Sequence, residues 1–190
     1  MPRSGDRKTQ ILQLIAQMLE NPKSEKITTA ALAAKLDVSE AALYRHFASK
    51  AQMFEGLIEF IESTIFGLIN KITADEVSGL KQTHAILAML ARFAAQNPGM
   101  TRVLIGDALV GENERLQARI NALHEKIESS LKQSLRVAVT AHEMPESLDV
   151  AAQANVLLCH AVGRWHQFAK SGFKKSPVEG LEKQLPLLLG

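Results

Sequence analysis

Residues Ile27 to Phe47 read ITTAALAAKLDVSEAALYRHF, and the spacing within this stretch decides the fold. Thr28 and Ser39 each precede a run of helical period, where a hydroxyl can accept from the free N–H groups of a helix start. Ala33 is small where two short helices must cross, Asp37-Val38 supplies a turn, and Leu43 faces back toward Leu32, Leu36, Val38 and Phe47. Two short helices near Thr29 to Lys35 and Glu40 to His46 are therefore expected, joined as a helix-turn-helix. Asp37 occupies the place where such a turn usually wants glycine in the left-handed region, a conformation Asp tolerates better than most side chains do.

Working outward, apolar residues recur at three- and four-residue steps on both sides, and no stretch alternates like a strand. The chain is expected to be all-α. A first helix is predicted from about Asp6 to Glu20, ended by Asn21-Pro22. Beyond the motif, helices are predicted near Lys50 to Ile72, Gly79 to Gln96, Pro98 to Val110, Glu112 to Ala141, Glu146 to Lys170 and Pro177 to Leu188. Asn97-Pro98 and Ser176-Pro177 each place a capping side chain before a proline that suits the first helical position. The pattern divides into a small front module, residues 1–50, and a rear module, residues 51–190, sharing the long helix that begins at Lys50.

The chain has 190 residues, of which 46% are hydrophobic and 22% charged, a composition that excludes disordered and fibrous classes. Its net charge is only +2, but residues 1–50 carry +3 and residues 51–190 carry −1, so the positive charge sits on the helix-turn-helix. A single cysteine, Cys159, excludes an internal disulfide and suits a reducing cytoplasm. The longest run free of Asp, Glu, Lys and Arg, Val150 to Gly163, is too short to span a bilayer, and the basic N-terminus lacks the apolar run of an export signal. An enzyme is poorly supported. His160 and His166 are six apart rather than four, and no phosphate loop, nucleophile turn or cofactor motif is present, so neither a metal nor a cofactor is expected.

In a helix-turn-helix the second helix enters the DNA major groove, here with Glu40, Ala41 and Tyr44 toward base edges. Thr28 and Thr29 at the first helix start, Ser39 at the second, and Tyr44, His46 and Lys50 are placed to meet phosphate, while Arg45 can serve either group. Capping by Thr28 and Ser39 is compatible with that contact. With few basic side chains per copy, affinity should come from two modules paired in a dimer on a near-palindromic double-stranded site.

The run Tyr44-Arg45-His46-Phe47 followed by Ser49-Lys50 and a long helical body resembles the TetR-type repressors, whose bodies usually dimerise through their last two long helices. The strings ITTAALAA, VSEAALYRHF, LIEFIE, NPGMTRVL and RLQARIN resemble one branch more closely, the SlmA family of nucleoid occlusion factors. That resemblance implies a protein that binds chromosomal sites and captures the C-terminal tail of the division protein FtsZ to block ring assembly over the nucleoid.

In the rear module the helix from Lys50 gathers Phe54, Ile58, Ile61, Ile65, Leu68, Ile69 and Ile72 on one face. Phe60 falls outside it, beside Met53, Gly56, Thr64, Gly67 and Lys71, where two glycines would leave a depression. Met89 likewise lies off the Ile86, Leu87, Leu90, Phe93 and Ala94 face of the next helix, with Ala85, Arg92 and Gln96. Either other helices of the body cover these faces or a partner does. The resemblance implies that the FtsZ tail is received here, by Phe60, Met89, Arg92, Gln96 and Asn97, although Leu68 stands where the family has a basic residue and Met89 to Gln96 depart from its usual residues. The helix from Glu112 carries Leu116, Ile120, Leu123, Ile127, Leu131 and Leu135 as one packing stripe. The helix around Trp165 is apolar nearly all round, with Ala151, Leu157, Leu158, Val162 and Phe168, which suits one face for its own body and one for a second copy in a homodimer. A competing function is a TetR-type repressor released by a small molecule, which requires a cavity with convergent polar groups in the rear module.

Overall fold

The computed structural model describes residues 4–21 and 27–189, and among these every regular element is a helix. In chain order they are α1 (Ser4–Leu19), α2 (Thr29–Lys35), α3 (Glu40–Tyr44), α4 (Lys50–Asp75), α5 (Gly79–Gln96), α6 (Pro98–Leu104), α7 (Glu114–Thr140), α8 (Val150–Lys170) and α9 (Leu181–Leu189). Pro22, expected to end α1, lies outside the described residues. Helix starts follow local chemistry: Asp149 Oδ1 accepts from Ala151 and Ala152 N–H, each at 3.0 Å, to open α8. This sets the start of α8 four residues after the predicted Glu146. Pro98 does open α6, but Asn97 makes no side-chain cap bond to it; its carbonyl accepts from Thr101 N–H at 2.9 Å and from Thr101 Oγ1 at 3.0 Å. Gly106, at φ 76°, stops α6 at Leu104, and a 3-10 turn at Asp107–Leu109 replaces the remainder of the predicted helix. Ser176-Pro177 does not start α9: residues 177–180 form turns, and the Pro177 carbonyl accepts from Arg164 Nε at 2.7 Å.

Two compact units result. The first comprises Met1–Ile61 and Asn97–Ile120, so the helix-turn-helix shares its unit with α6 and the beginning of α7. Its core holds Ile11, Ile15, Leu32, Ala33, Leu43, Phe54, Leu57 and Ile58. Phe47 is buried with them, and Lys8 lies over its ring at 5.6 Å from the centroid. Leu36 and Val38 are half-buried, so they edge the small core rather than fill it. Helix α6 packs backbone against backbone on α1: a Cβ on Gly99 would lie 1.9 Å from the Ala16 carbonyl oxygen. Arg102 then donates through Nε to Asp107 at 2.8 Å and through Nη1 to the carbonyls of Leu19 and Asn21, each at 3.3 Å, which satisfies the open C-terminal end of α1.

The second unit comprises Glu62–Gln96 and Asn121–Gly190. Its α7 stripe of Leu123, Ile127, Leu131 and Leu135 is buried as expected, and α5 packs on α8, where Trp165 Nε1 donates to the Leu90 carbonyl at 3.3 Å. The N-terminus of α5 is held by Glu143, whose Oε2 accepts from Leu80 N–H at 2.9 Å.

Candidate nucleic-acid interface and the rear groove

Ile27 to Phe47 folds as two helices around a turn. Thr28 is the N-cap of α2, accepting from Ala31 N–H at 3.1 Å, and Ser39 is the N-cap of α3, accepting from Ala42 N–H at 3.2 Å. Between them Asp37 takes φ 53°, the left-handed turn, and Val38 N–H returns to the Ala33 carbonyl at 3.0 Å. The exposed side of this pair is polar and self-connected. Thr29 Oγ1 donates to Glu40 Oε2 at 2.5 Å, and Tyr44 Oη donates to Thr29 Oγ1 at 3.5 Å, so residues from α2 and α3 form one surface. Thr28, Ser39, Glu40, Ala41, Tyr44 and Arg45 are exposed; Thr29, His46 and Lys50 are half-buried. Helix α3 ends at Tyr44, so Arg45 is its C-cap and His46 lies beyond it. Lys50 opens α4 beside a cap in which Gln52 N–H donates to Ser49 Oγ at 3.2 Å and Ala48 N–H to Gln52 Oε1 at 2.9 Å. The spacing of the sequence did not disclose that Lys50 already has an anion, Glu112, 62 residues later.

The residues expected to receive a partner fall in both units. In the first, Phe60 is 44% exposed and edges a crevice of about 30 Å³ with Leu12, Leu57 and Met100; Asn97 is half-buried. Gly56 leaves no depression beside it, because Phe47 and Leu12 already fill the space where a Cβ would stand. In the second, Met89 is only 9% exposed, Arg92 is exposed, and both line an open groove of about 660 Å³. Met89 is therefore part of a groove floor rather than a protruding side chain. Leu68, Ile72, Ala88 and Leu185 complete that floor, with Lys71, Arg92 and Glu182 among the charged residues around it. Leu68 is 40% exposed, which removes it from the core face expected for α4. Gln96, the last residue of α5, is exposed. Leu185 and Glu182 come from α9, over a hundred residues after Ile72, and no periodicity within α4 or α5 could have signalled them.

On α8 one face is buried, with Ala154, Leu157, Leu158, Ala161, Trp165 and Phe168, while Ala151, Val156, Cys159 and Gly163 are exposed. Leu187 of α9 is 84% exposed. Arg164 ties the two helices, donating to the carbonyls of Pro177 and Glu179 and to Gln184 Oε1 at 2.5–2.7 Å. Burial, and secondarily the charge of Arg164, hold the His160 imidazole below its ordinary value.

Comparison with known proteins divides the chain differently, along the sequence. Residues 25–57 match the family model of bacterial regulatory proteins, tetR family, and residues 78–190 match the SlmA-like model of the tetracyclin repressor-like, C-terminal domain. The nucleoid occlusion factor SlmA of Idiomarina loihiensis is 51% identical over 179 residues, covering 94% of this chain and 91% of that protein. The chain belongs to the SlmA family of nucleoid occlusion factors. A second SlmA, from Shewanella amazonensis, is 52% identical over 178 residues, covering 94% of this chain and 90% of the relative. The fold of this SlmA-family chain is that of the TetR-type regulators. A TetR transcription regulator from Haloarcula marismortui superposes with a TM-score of 0.82 at 14% identity over 97% of both chains. The regulator FadR from Bacillus subtilis, solved with stearoyl-CoA, superposes with 0.78 at 16% identity, covering 96% of this chain and 97% of its own. SlmA and TetR-type proteins are DNA-binding regulators, and the chain is such a nucleoid occlusion factor. Among the described residues no helix is long and apolar enough to cross a membrane.

Proposed function

We propose that this SlmA-family chain, as a nucleoid-associated cytoplasmic homodimer, reads a near-palindromic duplex site with Thr28, Thr29, Ser39, Glu40, Ala41, Tyr44, Arg45, His46 and Lys50, and binds the C-terminal tail of FtsZ through Phe60, Met89, Arg92, Gln96 and Asn97. The observation that supports the DNA half is the hydrogen-bonded surface Tyr44–Thr29–Glu40, which joins exposed polar groups of two helices in one array. Glu40 can accept from a cytosine amino group, and Thr28 keeps a hydroxyl and a helix start available to phosphate.

The partner half is supported by the groove of the second unit. Its floor of Leu68, Ile72, Ala88, Met89 and Leu185 suits apolar side chains of an extended peptide, and Arg92 can pair with an acidic one. Because the groove is open, it favours a peptide over an enclosed small-molecule inducer. The exposed Val156 and Leu187 on α8 and α9 offer an apolar face to a second copy.

Titration of the full-length protein with a fluorescent FtsZ-tail peptide, with and without DNA, tests both halves. Phe60→Ala should weaken peptide binding by about tenfold and leave DNA affinity intact; undiminished peptide binding removes Phe60 from the site. Thr28→Ala should lower DNA affinity by about fivefold on all duplexes alike, roughly 1 kcal/mol. An unchanged isotherm at fixed salt would remove Thr28 from the interface.

A further inference from the structure

Lys50 stands in the first turn of α4, and its ammonium is occupied. Nζ lies 2.5 Å from Glu112 Oε1 and 5.7 Å from the centre of the Phe54 ring. The pair is sheltered, with the Lys50 side chain 24% and the Glu112 side chain 13% exposed. Glu112 is also held by its backbone. It follows Gly111, at φ 73°, and its N–H donates to the Leu109 carbonyl at 3.0 Å. Further along both segments Arg115 pairs with Glu55 at 2.7 Å and Arg119 Nη1 donates to the Glu55 carbonyl at 3.5 Å, so the same stretch of chain is fastened to α4 again.

From this geometry we infer that Glu112 is a specificity-determining residue: it is an internal rival of DNA phosphate for Lys50, and it withholds that lysine from sequence-independent binding. The inference rests on the assignment of Lys50 to the DNA interface. A free lysine near a phosphate displaces a condensed counterion, and that release drives non-specific affinity. A lysine already neutralised by a carboxylate displaces none, and the carboxylate itself repels the approaching phosphate. Exchange of Glu112 for phosphate becomes favourable only where the remaining contacts of α2 and α3 seat the DNA backbone beside Lys50. On random duplex the lysine stays with Glu112. The pair thus lowers affinity for random DNA more than for the recognised site, and the ratio between the two is what a site-specific factor needs.

The test uses full-length wild type, Glu112→Gln, Lys50→Gln and the double variant. Each is titrated with a duplex selected by the wild-type protein and with a scrambled duplex of the same length, between about 50 and 200 mM salt. On the scrambled duplex Glu112→Gln should steepen the salt dependence by about one counterion per subunit, which makes binding about threefold tighter per subunit at the low-salt end. The selected-to-scrambled affinity ratio should fall. In the Lys50→Gln background the same substitution should gain clearly less, only the relief from the carboxylate's own repulsion. A wild-type slope for Glu112→Gln on the scrambled duplex overturns the inference. So does an equally large gain without Lys50, because Glu112 would then act by long-range repulsion alone. If Lys50→Gln keeps the wild-type slope on both duplexes, the assignment of Lys50 to DNA fails, and the inference with it. Should Glu112→Gln lower the melting temperature, Glu112→Asp shortens the reach to Lys50 and should steepen the slope on the scrambled duplex; the wild-type slope in that variant overturns the inference equally.

Discussion

In the first unit the groups assigned to DNA lie within a stretch of the chain that begins at Thr28 and ends at Lys50, and Thr29, Glu40 and Tyr44 hydrogen-bond to one another there. In the second, the open groove is lined by residues of α4 and α5 together with Glu182 and Leu185 of α9. Local chemistry sets the first surface: two caps, a left-handed Asp37 and a crossing at Ala33 fix where each side chain stands. The second exists only through packing between distant helices, so changes in the core reach it.

The largest effect expected of that contrast lies where the reading surface does depend on a distant segment. Gly99→Val would press a branched side chain against the Ala16 carbonyl. It should destabilise the protein by about 3 kcal/mol and reduce DNA binding with it, read by denaturant unfolding and a DNA titration. A wild-type unfolding midpoint would mean that α1 and α6 can separate at no cost. Tyr44 is the chain's single tyrosine and Trp165 its single tryptophan, one in each unit, so their emission can follow the two units separately.

An intermediate effect is expected at the groove rim. Arg92→Ala should weaken binding of the FtsZ-tail peptide by about tenfold, the size of a charge-assisted contact, and leave the DNA isotherm unchanged. A parallel loss of DNA affinity would break the separation between the two surfaces.

The smallest effect is acidic. His160 is held below its ordinary 6.5 by burial and by Arg164, so the unfolded chain takes up a proton first as pH falls. Stability contributed by neutral His160 is therefore present above pH 6.5 and is lost between 6.5 and its lower folded value. Glu143 is held below 4.5 chiefly by the Leu80 N–H and next by the Ser78 hydroxyl, so its contribution is present above 4.5 and is lost further down. Both belong to the second unit, and Trp165 emission during acid titration should report both steps. His160→Gln should abolish the upper one and Glu143→Gln the lower; an unaltered acid profile in both variants would remove these groups from the acid response.

What could be read from the residues follows the same contrast. The helix-turn-helix was legible because caps, turn and small crossing residue lie within a few positions of one another, and Thr28, Ser39 and Asp37 take the roles their chemistry dictates. Phe60 was legible as a misfit on α4, and it is exposed. Met89 was half legible: its departure from the core face of α5 is real, but the packing of neighbouring helices buries it as a floor. Ser176-Pro177 misled because the Pro177 carbonyl is claimed by Arg164, an element away. Glu112 was illegible as a partner of Lys50, since nothing in the spacing of either residue refers to the other.

The contact of Gly99 with Ala16 bears on how the protein can be dissected. A DNA-reading fragment cut after residue 50, or after the matched family segment ends at 57, would leave α1 without the helix that lies against its backbone and without Arg102 on its last carbonyls. The compact unit that keeps those contacts is discontinuous, Met1–Ile61 and Asn97–Ile120. A miniature reader of this DNA site would need residues 62–96 replaced by a linker as well as truncation after residue 120.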